Sequence, residues 1–277
     1  MKITLKLLVI SFISTCFSSP VAAQPVGDYH PFLSNKFNLG IGVYFPDKDF
    51  TIRVDGSVPD KEIDFDEALK LDKSDTTGSL NFRWRFGEKW SVMGQYWSLD
   101  SSGGAILEQD IEWEDVVFKE GTFVNGGVDT SVGRVFFGRV FSSSAQHEFG
   151  LGVGFHWMEL DTFLEGEVIV NESTTEFQRV AVDAAFPMPN IGGWYMYSWS
   201  PKWLFEARLD WLSASIGDYS GGILNASAGI NYQAFKNIGI GLYYNSFNVD
   251  VDVDKSDWHG KAETKQNGPF IALTATW

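Results

Sequence analysis

The chain carries a single cysteine, Cys16, and it lies inside an amino-terminal stretch that reads as a secretory signal. Lys2 and Lys6 give that stretch its positive start, residues 7–17 its apolar run, and Val21, Ala22 and Ala23 a small-residue cleavage site. Thr15 precedes Cys16, which is a poor setting for a lipid-modified cysteine. Cleavage after Ala23 leaves a chain without disulfide, thiolate metal ligand or cysteine nucleophile. Long apolar runs are missing too: no later stretch approaches the ~18 consecutive apolar residues of a spanning helix. The signal's own run is too short to span. Basic residues are scarce, 21 Lys and Arg against 36 Asp and Glu, for a formal charge of −15. Removing Lys2 and Lys6, with no acid, takes this to −17. Nucleic acid is not an expected partner, because phosphate binding needs a basic footprint.

What is abundant is aromatic and small. Aromatics make up 16% of the chain with 11 Trp, and there are 28 Gly. They fall in alternating segments. In the last eight residues Ile271, Leu273, Ala275 and Trp277 form one apolar row, and Phe270, Ala272, Thr274 and Thr276 form the other. Side chains alternate with period two along a strand, so one face suits hydrocarbon and the other small or polar neighbours. Phe37, Leu39, Ile41, Val43 and Phe45 alternate in the same way with Asn38, Gly40, Gly42 and Tyr44. Four hairpins repeat the design around short turns at 87–89, 142–146, 200–202 and 235–237. Longer loops are expected at 47–77, 101–126, 161–189, 217–221 and 253–267.

A strand of this kind closing on an aromatic residue resembles the terminal signal of bacterial outer-membrane β-barrels, with Ile271, Leu273, Ala275 and Trp277 as the assembly signal. The resemblance implies a closed antiparallel transmembrane β-barrel, with short periplasmic turns and longer extracellular loops. Only a closed sheet pairs every backbone group in hydrocarbon, and the alternating segments match the ~9–11 residues needed to span. One opening strand, four hairpins and one closing strand give ten strands. Twelve is the alternative if 105–113 and 116–124 add a pair, but the run Glu108, Asp110, Glu112, Glu114, Asp115 suits an extracellular hairpin better. The expected organisation is a signal peptide at 1–23, a short periplasmic tail at 24–36 and a barrel at 37–277. Further pieces resemble a group of small proteobacterial outer-membrane barrels that no catalytic residue defines. These are Ile63, Asp64, Phe65 and Asp66 with residues 69–75, then residues 82–86, 235–244 and 268–270. The implied partners are outer-membrane lipid, lipopolysaccharide and the barrel-assembly machinery.

Opposite the apolar rows stand Arg83, Arg85, Glu206, Arg208 and Asp210, with Arg134 expected to join them on a strand that alternates poorly. In a narrow lumen these arginines and carboxylates pair, either as a plug or as the wall of a narrow, porin-like polar conduit for small solutes. His30, His147, His156 and His259 have no metal-ligand spacing and no cysteine beside them. The chain has no Asp-Asp, Asp-His or His-x-Ser, the pairs expected of surface proteases and lipid-modifying barrel enzymes, so no enzyme and no cofactor is expected. Asp250, Asp252 and Asp254 are a weak metal candidate, since Lys255 stands where a calcium loop needs glycine. They read better as a strand continuing above the membrane, where the apolar phase switches between Tyr244 and Phe247. Adhesion or recognition through the acidic loops is the alternative function.

Overall fold

The computed structural model describes residues 29–55, 62–72, 74–108, 110–113, 116–169, 175–216, 219–254 and 259–277. The signal at 1–23 and the start of the tail lie outside the described residues. In chain order the strands are β1 (Phe37–Tyr44), β2 (Asp47–Asp55), β3 (Glu62–Asp64), β4 (Thr77–Phe86) and β5 (Trp90–Ile106). Then come β6 (Ile111–Trp113), β7 (Val116–Phe118), β8 (Phe123–Ser143), β9 (His147–Ile169) and β10 (Thr175–Ser200). β11 (Trp203–Ile216), β12 (Tyr219–Gln233), β13 (Ile238–Asp254) and β14 (His259–Thr276) complete the order. A short helix, α1 (Phe65–Ala68), follows β3.

Ten strands close the barrel: β1, β4, β5, β8 and β9 to β14 pair in turn, each antiparallel to the next, and β14 returns to β1. At the seam Phe37 N–H donates to the Trp277 carbonyl at 2.9 Å and Trp277 N–H to the Phe37 carbonyl at 3.0 Å. Their rings stack at 5.6 Å. Closure satisfies both edges, the condition for a sheet in hydrocarbon. Among the described residues β6 and β7 pair with each other and not with the barrel, so the 105–124 stretch adds no further barrel strands. β2 extends the upper end of β14.

The outward face of the lower barrel is apolar. Ile41, Val135, Val153, Leu209, Ile240 and Leu273 are exposed there, with Trp84, Trp90, Trp199, Trp203 and Trp277 near the short turns. Tyr96, Trp157, Trp211 and Tyr244 mark the upper limit of this belt. Above that limit the strands continue and both faces change character together. On β9 the outward row passes from Phe155 and Trp157 to Glu159 and Asp161, and the inward row from His156 to Met158 and Leu160. β5 passes inward from Gln95 to Trp97 and Leu99, β8 from Arg134 to Val132, and β13 from Asn245 to Phe247 and Val249.

The apolar phase switch between Tyr244 and Phe247 falls where β13 rises above the belt, as expected, and the strand keeps an unbroken register with both neighbours there. Its pleat is constant and its surroundings change. The stretch 161–189, read as a loop, is mostly strand, since β9 and β10 pair from His147 to Ile169 and Thr175 to Tyr197. Residues 253–267 are likewise largely strand, in the upper part of β14. A pattern keyed to apolar-outward strands misses segments whose polar face is outward.

The upper barrel therefore has an apolar core. Trp97, Leu99, Val132, Leu160, Phe247 and Val249 belong to it, joined by Leu69 and Leu71 after α1 and by Ile111 and Phe118 of the β6–β7 hairpin. Lys70, between the two leucines, has φ +52°. The main chain of 69–70 lies so close to Gly103 of β5 that a Cβ there would collide with it. At the other end a 3-10 turn, Pro31–Leu33, enters the mouth. His30 Nδ1 accepts from Phe32 N–H at 3.3 Å and His30 N–H donates to Ser198 Oγ at 3.0 Å. Phe32 packs into a second apolar cluster with Met93, Phe136, Trp194 and Met196.

Candidate functional site

All six polar residues singled out from the sequence, Arg83, Arg85, Arg134, Glu206, Arg208 and Asp210, stand on the inward rows of β4, β8 and β11. They form two groups. In the lower one Arg83 and Arg85 converge on Glu148 of β9, Arg83 through Oε1 and Arg85 through Oε2 at 2.6 Å. Trp194 Nε1 donates to Glu148 Oε1 at 2.6 Å, and Arg83 also reaches Ser91 Oγ at 3.2 Å. Arg85 donates to the carbonyls of Leu33 and Phe32, so this group ties the tail to the barrel wall.

In the upper group Arg134 holds Asp210 with both arms of its fork, Nε to Oδ2 at 2.6 Å and Nη2 to Oδ1 at 2.8 Å. Two parallel charge-assisted bonds fix geometry as well as charge. Arg208 donates to Gln95 at 2.6 Å and to Asn225 at 3.3 Å, with Nε 3.7 Å from Asp210. His156 Nδ1 lies 2.6 Å from Asn190 Nδ2, its Nε2 3.0 Å from Asn225 Nδ2 and 4.0 Å from Asp210. Glu206 joins neither group: among the described residues it has no hydrogen bond or ion pair. The poorly alternating strand of Arg134 does carry a register shift, but between Val140 and Ser142, which leaves Arg134 in phase with β9.

Glu148 and Trp194 were not read from the sequence. Glu148 follows a turn, and Trp194 has the size of a lipid-facing residue. The available signal was parity: Glu148 is in phase with His156, and Trp194 with Met196 and Ser198. The glycines of the inward rows make room for such rings, since a Cβ at Gly138 or Gly150 would collide with Trp194. The metal candidate lies only partly within the described residues. Asp250 and Asp252 are exposed on the outward face of β13, and the Asp254 side chain lies outside the described residues. No group of three or more His, Cys, Asp or Glu is gathered among the described residues.

No family model matches the sequence, and no curated protein does. Solved structures do. The outer membrane protease OmpT from Escherichia coli aligns with a TM-score of 0.56 at 11% identity, over 91% of this chain and 99% of that one. The chain has the fold of a bacterial outer-membrane β-barrel. OprG from Pseudomonas aeruginosa aligns with this barrel at a TM-score of 0.34 and 12% identity, over 91% and 97% of the two chains. At 11% identity the likeness to OmpT is one of fold. In this barrel the lumen is lined by paired charges, and Ile271, Leu273, Ala275 and Trp277 lie on the outward row of β14 beside β1.

Proposed function

We propose that this protein is a closed outer-membrane barrel that acts through the extracellular part of its wall, by binding a partner at the cell surface. One observation carries the reading: above the belt the interior is a packed apolar core, and within the belt Arg83, Arg85 and Arg134 are engaged by Glu148 and Asp210. A water-filled conduit for polar solutes needs a continuous polar path, and Trp97, Phe247, Leu69 and Phe118, all buried, stand across it. The wall, by contrast, rises far above the belt. On its rim Ile106 of β5 pairs with Phe123 of β8, and both are more than half exposed, at 64% and 57%. Phe177 of β10 is exposed at 67%. Large apolar side chains left open well clear of lipid mark interaction surfaces.

In this reading export follows cleavage after Ala23, the assembly machinery inserts the barrel, and lipopolysaccharide surrounds it. No chemistry is assigned to the lumen, and lipid A from deletion and parent strains should be identical. Purified protein in planar bilayers tests the closed lumen. No conductance steps are expected, and stable single-channel openings would overturn the reading. Replacing Ile106, Phe123 and Phe177 with serine should abolish cell-surface binding without impairing assembly.

A further inference from the structure

Between the two charge groups lies a cavity of about 100 Å³, lined in part by Asn81, Gln95, Arg134, Glu206, Arg208 and Asn245. It is bounded by Phe32 of the tail on one side and by Tyr44 and Phe270 near the apolar core on the other. The polar atoms around it are not all satisfied. Arg134 is 2% exposed and Asn245 5%, yet Arg134 Nη1 and Asn245 Oδ1 have no hydrogen-bond partner, and neither has Arg208 Nε, which approaches Asp210 only at 3.7 Å. The Arg134 guanidinium carbon also lies 4.6 Å from the Phe136 ring centroid, a cation–π contact that supplies no acceptor for Nη1.

The charges do not balance either. Among the described residues of the belt, Arg83, Arg85, Arg134 and Arg208 face inward against Glu148, Glu206 and Asp210. Glu148 serves two arginines, and Asp210 is held by Arg134 and approached by Arg208. Arginine keeps its charge in proteins, so one positive charge is in surplus. A buried charge without a counter-charge is costly. Water can accept the loose N–H groups, but it cannot neutralise the surplus.

We propose that the chamber holds one small monovalent anion of halide size, bound by the free N–H groups of Arg134 and Arg208. The surplus of one sets the valence. Glu206, on the same wall, repels a second negative charge and so disfavours divalent anions. The packing of Phe32 below and the apolar core above keep the ion in place, which makes it a structural counter-ion captured as the sheet closes.

The test is to refold the full chain from denaturant into detergent with sodium bromide, crystallise it and collect data at the bromine edge. An anomalous peak in the chamber, within hydrogen-bond distance of Arg134 Nη1 and Arg208 Nε, is the expected result. A chamber holding only water overturns the proposal. Thermal unfolding after refolding in chloride or in gluconate, at equal ionic strength, gives a second readout, since gluconate is too bulky for the chamber. Chloride should raise Tm in a saturable way, and Asn245→Asp, which builds the negative charge into the wall, should remove that response. Equal Tm in the two salts, or an Asn245→Asp chain that still responds, overturns it. If Asn245→Asp does not refold, Arg208→Gln removes the surplus instead and should be equally insensitive to chloride.

Discussion

Asp129 and Asp161 stand directly opposite each other on β8 and β9, and the row runs on at both ends, to Asp100 on β5 and Asp183 on β10. Four carboxylates thus lie side by side across four strands, all exposed on the outward face above the belt. Like charges directly opposite weaken a sheet, by roughly 0.2–1 kcal/mol per pair. Asp161→Asn relieves two contacts at once and should raise the denaturant midpoint. The gain should shrink at high salt, where the screening length falls to about 3 Å at 1 M. A gain independent of salt would point away from charge repulsion.

The fork between Arg134 and Asp210 should behave as a buried pair. Asp210→Asn leaves the guanidinium without its counter-charge and should cost about 3–5 kcal/mol. Replacing both partners, Arg134→Met with Asp210→Leu, should recover much of that loss. Urea unfolding in detergent, followed by tryptophan fluorescence, measures both variants. A double variant no better than the single one would mean that the pair is needed for more than neutrality.

At the seam, Trp277 supplies two main-chain bonds and a stacked ring to Phe37. Trp277→Ala removes the ring and its anchoring in the lower girdle but keeps the backbone pairing. It should slow insertion and lower the fraction of heat-modifiable, folded protein on unboiled gels. Unchanged insertion would show that the main-chain bonds alone hold the seam.

His30 gives the tail a pH dependence. Burial lowers its pKa from 6.5 to about 4, against a smaller opposing contribution from Asn231. A docked tail therefore binds its proton less readily than an undocked one. Docking is unaffected above pH 6.5 and weakens as pH falls from there toward 4, by an amount on the order of 3 kcal/mol at the lower limit. Amide exchange at Leu33, Ser34 and Asn35 should accelerate across that interval, and His30→Gln should flatten the response.

Within the belt the strands were legible because one rule holds there: apolar residues face lipid, so Ile240, Leu242 and Tyr244 announce their face directly. Ten strands and the inward set from Arg83 to Asp210 follow from it. Above the belt the rule reverses, and Glu159, Asp161, Phe247 and Val249 then look like loop or like a broken phase. The partnership of Glu148 with Arg83 and Arg85 links residues more than 60 positions apart across the lumen, which no local pattern encodes. The insertion of Leu69, Leu71 and Phe118 into the mouth is a tertiary event of the same kind. Trp194 was hidden by its size, since room for this inward ring is made by Gly138 and Gly150 on neighbouring strands.

The exchange of faces around Trp157 and Met158 also fixes the barrel's height in the membrane. Sinking by one pleat, two residues or roughly 6.7 Å along the strand, would push Glu159 into hydrocarbon; rising by the same step would lift Trp157 and Tyr244 into water. Tilting relieves a mismatch for a lone helix, but a closed cylinder charged just above its rim of aromatics has no such freedom. Where the bilayer is thicker or thinner than the belt, the surrounding lipid must do the adjusting.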